Sequence, residues 1–195
     1  MTKRTISIFL LMLCTVALFA TPSKSYDDGR LTVTGTVVGI GGQMAGRTRP
    51  FTLTVRTVTP PNQVRELNQA LSSGGQDELL RSLSKMDAGR ITIGTGVGLT
   101  ANAVIADRWG DGGTRLTVFY ERNLRFFELR YGTRSEDYRV GYAEMFLDRN
   151  GHGEGTLIPA ARVKLKDGNT WEVEDFGVYP ARLIGLRSSG TIVPR

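Results

Sequence analysis

Alternating apolar and polar positions recur along most of the chain and predict a protein built mainly from strands. In the run at residues 50–58, Phe51, Leu53 and Val55 are separated by polar residues, which is the two-residue period of a strand with one buried face. Another apolar run covers residues 31–40, and a glycine-rich loop joins the two. We therefore predict that these first two strands form an antiparallel hairpin.

The period changes to that of a helix at about residues 60–87. Val64 and Leu67 lie on one helical stripe, and Thr59 is expected to cap this helix just before two prolines, which the first turn tolerates. After a Ser-Ser-Gly-Gly stretch, leucines at helical spacing predict a second helix over about residues 76–86. The segment is therefore predicted to be a helical hairpin inserted between the second and third strands.

Short strand signals and turn signals then alternate to the end of the chain. The expected strands are residues 90–95, 99–107, 115–122, 125–131, 138–148, 155–166, 170–176 and 181–186. Asn-Gly and Asp-Gly steps between several of them are typical of tight antiparallel connections. The predicted fold class is mainly β: an antiparallel meander of about 8–10 strands that closes into a barrel-like or sandwich sheet, with the helical hairpin on one end or face.

The first 25 residues have the pattern of a secretory signal. Lys3 and Arg4 precede a charge-free apolar run, and Ser23 and Ser25 provide small residues at the exit. We expect cleavage after residue 25, which leaves residues 26–195 as a single β-rich domain with the helical insertion, located in the periplasm or secreted. The only cysteine, Cys14, would leave with the signal.

Charge and composition narrow the classes of partner. The formal net charge is +6, but three of the basic residues lie in the signal and none of the acidic ones do, so the mature chain carries a net charge of +3. Basic and acidic residues are interleaved, which argues against a nucleic-acid-binding face. We expect no stable membrane span after cleavage, and charges on both faces of several strands argue against an outer-membrane barrel. The oligomeric state is left open.

Aromatic and arginine residues are concentrated in the central strands. Such side chains recur in recognition sites because they supply stacking, cation–π and bidentate contacts. The candidate ligand-binding residues are Tyr120, Arg122, Arg130, Tyr131, Arg134, Tyr142 and Glu144. Alternation in half-buried strands also explains most of them and is the preferred interpretation. Glu144 is the exception, since it shares a face with two aromatic residues and, if that face is interior, needs a partner such as an arginine.

One segment has part of the pattern of a calcium loop. Asp148, Asn150 and Glu154 are the candidate metal ligands. The pattern is incomplete, because His152 occupies a position where an oxygen ligand is wanted and the twelfth position is Pro159. A glycine-rich hairpin turn explains the same residues and is the preferred interpretation, so no cofactor is expected.

Two function classes are favoured after these observations, and an enzyme is less favoured than either. The favoured one is a non-catalytic binding or structural domain of the bacterial envelope or of secreted type, with an envelope protein or a glycan as partner. The alternative is a carrier that holds a small apolar, lipid-like ligand inside the barrel. A hydrolase or isomerase using a carboxylate is disfavoured, because His152 is the only histidine and no GxSxG motif occurs. An apolar cavity would favour the carrier, whereas an interior filled by side chains would favour the binding domain.

Overall fold

The structure, a computed structural model, describes residues 31–41, 45–122 and 138–190. These residues form nine strands and one helix: β1 (Leu31–Gly39), β2 (Thr48–Val55), α1 (Pro61–Leu83), β3 (Gly89–Ile93), β4 (Leu99–Trp109), β5 (Gly113–Glu121), β6 (Val140–Leu147), β7 (His152–Lys166), β8 (Thr170–Phe176) and β9 (Ala181–Ser189). The predicted mainly β class and the β1–β2 hairpin are confirmed. The strand predicted at residues 125–131 lies outside the described residues.

Eight antiparallel strands close into a barrel. The sheet order is β6-β5-β4-β3-β2-β1-β9-β7, and a further pairing of β6 with β7 closes the ring. β7 pairs with β6 along one edge, while β9 and then β8 pair with successive stretches of its other edge. β8 is thus an extra strand beside the barrel. Of the two closures that the sequence allowed, the structure has the barrel, in which every wall strand is paired on both edges.

The barrel interior is filled by one face of each strand. Leu53, Val118, Met145 and Leu183 are completely buried there, as the alternation of apolar and polar positions requires. Tyr120 also points inward, and its ring packs over Gly141 on the neighbouring strand, where a Cβ atom would overlap it. The interior is therefore a packed core of the protein's own side chains.

A second apolar core lies outside the barrel. Leucines of α1, together with Trp171 of β8, pack against the outward-facing side chains of β4 to β7. Those outward side chains include Ile105, Phe119 and Ile158, which are buried although they face away from the barrel interior. One part of the outer wall is thus as apolar as the inside, because α1 and β8 cover it.

A buried asparagine side chain of β4 attaches the end of α1 to the barrel. Asn102 lies at an irregularity in the β4–β5 ladder, and its Nδ2 donates to the carbonyl oxygens of Leu83 at 2.9 Å and Met86 at 3.2 Å. Its Oδ1 accepts from the backbone N–H of Glu121 at 2.7 Å. Asn102 is only 4% exposed. Its side chain thus forms buried or partly buried hydrogen bonds with the end of the helix, with the chain just beyond it and with the barrel wall.

The expected capping role of Thr59 is wrong. The helix begins at Pro61 without a side-chain cap, and the hydroxyl of Thr59 instead accepts from the backbone N–H of Val104 at 2.9 Å. The N–H of Thr59 in turn donates to the carbonyl oxygen of Val104. The reason is that β3 pairs with β4 only as far as Ala101, so the edge of β4 beyond that point needs another partner, which Thr59 provides.

The predicted helical insertion is present, and its break is sharper than expected. The backbone stays helical through Ser72 and Ser73 and has non-helical angles at Gly75, with φ 65° and ψ −153°. The two serine hydroxyls donate to carbonyl oxygens four residues earlier, so they extend the first helical piece instead of ending it. Positive φ at a single glycine is sufficient to redirect the chain into the second piece.

We expect the variant Asn102→Ala to lower the free energy of unfolding by about 3 kcal/mol, because three buried or partly buried backbone groups would each lose a hydrogen bond. The measurement is urea unfolding followed by circular dichroism. Asn62→Ala, an exposed position in the first turn of α1, is the matched control and should change stability by less than about 0.5 kcal/mol. Equal effects of the two variants would contradict the anchoring role of Asn102.

Candidate functional site

The outer wall of the barrel has an open pocket beside the part that α1 and β8 cover. Its volume is about 450 Å³, within the range of roughly 300–1,000 Å³ that is usual for small-molecule sites. The floor is formed by outward-facing residues of β5, β6 and β7, and one wall by the β7–β8 hairpin. Its lining includes Trp109, Arg115, Tyr142, Glu144, Phe146 and Trp171. We call this the outer-wall pocket.

An ion pair lies on the floor of the outer-wall pocket. Nε of Arg115 donates to Oε1 of Glu144 at 2.7 Å, and the two side chains are 22% and 23% exposed. The hydroxyl of Tyr142 donates to the same carboxylate oxygen at 3.3 Å. Glu144, which shares a strand face with two aromatic residues, therefore has an arginine partner. This face lies on the outside of the barrel wall and not in the interior.

Burial and charge change the acid–base properties of this cluster. Burial, together with the adjacent negative charge of Glu144, raises the pKa of the Tyr142 phenol to about 12. Burial is the largest influence on Arg115 and opposes its charge, but Glu144 and Tyr142 together outweigh burial and raise the pKa of Arg115 above its ordinary value. Arg115 is thus a fixed cation, and Tyr142 is a fixed hydrogen-bond donor at neutral pH.

Two aromatic rings form the rim of the pocket. Trp109 and Phe146 have ring centroids 4.5 Å apart and are tilted by 51°, and Trp109 is 49% exposed. The same two side chains also line a neighbouring open pocket of about 380 Å³, next to the β4–β5 and β6–β7 turns. The Trp109–Phe146 pair is therefore a ridge between two concave surfaces.

Trp171 forms the inner wall of the outer-wall pocket. Its indole packs against Phe119, with ring centroids 4.7 Å apart and a 62° angle between the rings. Within the described part of the chain, its Nε1 is buried and makes no hydrogen bond. Trp109 and Trp171 are the two tryptophans of the whole sequence, so both indoles report on this single pocket.

The structure brings together two of the sequence-based candidates and separates others. Tyr142 and Glu144 lie side by side in the outer-wall pocket. Tyr120 instead points into the barrel, where burial raises its pKa and its hydroxyl donates to the carbonyl oxygen of Ile158 at 3.4 Å. Arg122 is buried and donates to the carbonyl oxygen of Tyr138 at 3.3 Å. The remaining candidates lie outside the described residues: Arg130, Tyr131 and Arg134.

The candidate calcium segment is a hairpin turn between β6 and β7. Oδ1 of Asp148 accepts from the backbone N–H groups of Asn150 at 2.8 Å and His152 at 2.9 Å. The bond from His152, supported by the one from Asn150, lowers the pKa of Asp148. Glu154 is paired with Arg182 at 3.3 Å. Within residues 31–41, 45–122 and 138–190, no group of three or more His, Cys, Asp or Glu side chains could hold a metal ion.

Sequence reasoning missed four of the residues that build the pocket: Trp109, Arg115, Phe146 and Trp171. Arg115 pairs with Glu144 because β5 and β6 are neighbours in a register that sets Thr117 opposite Glu144. Trp171 belongs to β8, which reaches the outer wall only through its pairing with β7. The alternation of positions does signal that Arg115, Tyr142 and Glu144 lie on one face of their strands, but it does not identify the strands that pair.

Comparisons with known proteins give no relative from which a function could be inferred. No protein family matches this chain, and neither curated proteins nor solved structures show detectable similarity to it. In the part of the chain that the structure describes, no helix has the length and apolar character needed to cross a membrane.

We expect the stability of the protein to fall at high pH in a way that depends on Tyr142. The folded state keeps the phenol proton to a pH of about 12, whereas the unfolded chain releases it near pH 10. The resulting contribution of roughly 2–3 kcal/mol is present below pH 10 and is lost as the pH rises through about 12.

The measurement is the free energy of unfolding in urea between pH 8 and pH 12, for the natural protein and for Tyr142→Phe. The natural protein should lose more stability than the variant over this interval, since only it carries the Tyr142 phenol, whereas both carry the buried phenol of Tyr120. Parallel curves for the two proteins would contradict the assigned pKa of Tyr142.

Proposed function

We propose that the chain is an exported, non-catalytic binding domain of bacterial envelope or secreted type, whose ligand binds in the outer-wall pocket. The observation that carries this proposal is the half-exposed ring of Trp109, with Phe146 packed against it, beside the Arg115–Glu144 ion pair. Exposed aromatic rings next to oriented charged groups are the composition of binding hot spots. Beside them, α1 and β8 cover a part of the outer wall.

The filled barrel interior supports this proposal over the carrier alternative. A lipid-like ligand would need an apolar cavity inside the barrel, where the side chains of Phe51, Met145 and Leu157 are almost completely buried against one another. The two open pockets described above lie on the outside and contain charged residues. Binding at the outer wall therefore requires no displacement of the core.

The contacts of the pocket carboxylate support a non-catalytic role. Oε1 of Glu144 already accepts from Arg115 and Tyr142, so this oxygen would have to give up existing hydrogen bonds before it could take a proton from a substrate. Glu154, the other acid considered with it, is paired with Arg182. A carboxylate-dependent hydrolase or isomerase would instead need two titratable groups that converge in one cleft.

Export is tested by the N-terminus of the protein. When the full chain is expressed in a bacterial host, we expect the protein in the periplasm or medium to begin at Tyr26, as read by intact mass spectrometry, because residues 1–25 have the features of a cleaved signal. Leu11→Arg interrupts the apolar run and should retain the chain in the cytosol. A natural chain that remains in the cytosol beginning at Met1 would refute export.

Binding at the outer-wall pocket is tested by nuclear magnetic resonance with two labels. 5-Fluorotryptophan reports on Trp109 and Trp171, and ¹³C-methyl methionine reports on Met145 inside the barrel. The probes are maltohexaose, chitohexaose, laurate and a tripeptide library. We expect at least one of them to shift both tryptophan signals in a saturable way while the Met145 methyl signal stays in place.

Two outcomes would overturn the proposal. A saturable shift of the Met145 signal with laurate would identify an interior carrier. Tryptophan signals that no probe moves would show that the outer-wall pocket does not bind these classes of ligand.

A further inference from the structure

We infer that the ligand of the outer-wall pocket is a neutral oligosaccharide, an inference that rests on the proposed binding function. The first reason is the balance of charge. The charged side chains that line the pocket are two cations, Arg115 and Lys166, and two anions, Glu144 and Glu172. A ligand with a net charge would meet attraction and repulsion of similar size, so the pocket favours a ligand without one.

The second reason is the mixture of hydrogen-bond donors and acceptors. The pocket is lined by the hydroxyls of Thr156 and Thr170, which donate and accept, besides the donors of Arg115 and the acceptors of Glu144. A purely apolar ligand would remove water from these groups without replacing their hydrogen bonds, which is unfavourable. Sugar hydroxyls both donate and accept, and therefore suit this lining.

The third reason is the aromatic ridge. A pyranose ring has a face of C–H groups, and this face packs on an exposed aromatic ring while the hydroxyls at its rim reach polar neighbours. Trp109 and Phe146 offer such a platform, and they belong to both the outer-wall pocket and the neighbouring pocket of about 380 Å³. A chain of several sugar rings can cross the ridge and occupy both concave surfaces, which a single sugar cannot do.

A peptide fits the pocket less well. Peptides commonly bind by adding a strand to a free sheet edge, where their main chain forms the hydrogen bonds. The floor of the pocket consists of β5, β6 and β7, and each of these strands is paired along both edges. The floor therefore offers no free strand edge to a peptide, and recognition at the floor has to come from hydroxyl, charged and aromatic side chains.

The test is isothermal titration calorimetry of the purified protein with maltohexaose, cellohexaose and chitohexaose. We expect at least one of these to bind, and its disaccharide to bind at least about tenfold more weakly, because it cannot cross the ridge. Trp109→Ala should weaken binding of the hexasaccharide by about tenfold or more, while Trp109→Phe should retain most of the affinity because it keeps a ring. Glu144→Gln should also weaken binding, through the loss of a charged acceptor.

Tyr179→Ala is the matched control. Tyr179 is an exposed aromatic residue that precedes β9, whereas Trp109 is the last residue of β4. β4 and β9 run in the same direction in the barrel wall. The two residues therefore lie at opposite ends of the barrel. The control variant should bind the hexasaccharide with unchanged affinity. A hexasaccharide affinity that Trp109→Ala leaves unchanged would overturn the inference.

The failure of this inference can be told apart from the failure of the proposed function. If no neutral hexasaccharide binds, but laurate, an anionic heparin hexasaccharide or a tripeptide shifts the signals of Trp109 and Trp171, the neutral-glycan inference is wrong and the outer-wall pocket remains the binding site. If a ligand shifts the Met145 signal instead, both are wrong.

Discussion

The pairing of β7 with three other strands is the constraint on which the rest of the structure depends. One edge of β7 pairs with β6 and thereby closes the barrel, and its other edge holds β9 and β8 in succession. Register shifts next to Gly155 and at Arg162 let this strand bend away from the barrel. The same strand, β7, therefore both closes the barrel and holds β8 on the outer wall.

The outer-wall pocket exists because coverage of the barrel is incomplete. α1 and β8 bury one part of the outer wall and stop short of the part that carries Arg115 and Glu144. Asn102 determines where α1 ends on the barrel, and Gln76, just after the break in the helix, exchanges hydrogen bonds with the backbone of Val163 on β7. The boundary of the pocket thus follows from how the helix is anchored.

The parts of this fold that sequence reasoning predicted correctly are those that depend on local pattern. The two-residue period located the strands, and the leucine spacing located the helical insertion. The candidate site is different, because Tyr120 and Tyr142 come from neighbouring strands with similar composition and yet face opposite sides of the barrel wall. Alternation divides a strand into two faces but does not show which face is covered. The pairing of Glu144 with Arg115 depends on the register between β5 and β6, which residues 122–139 separate along the chain.

The Arg115–Glu144 pair is difficult to explain by stability alone. A partly exposed ion pair contributes little to the free energy of unfolding, and apolar side chains such as Ile105 and Phe119 occupy equivalent outward positions nearby. An apolar pair at these two positions would favour coverage by another part of the protein, because burial of apolar area is stabilising. Burial of Arg115 and Glu144 is costly by comparison, and this part of the wall is open beside the Trp109–Phe146 ridge. The binding role that we propose would account for this arrangement, because groups that are costly for the protein's own chain to cover can offer hydrogen bonds to a ligand.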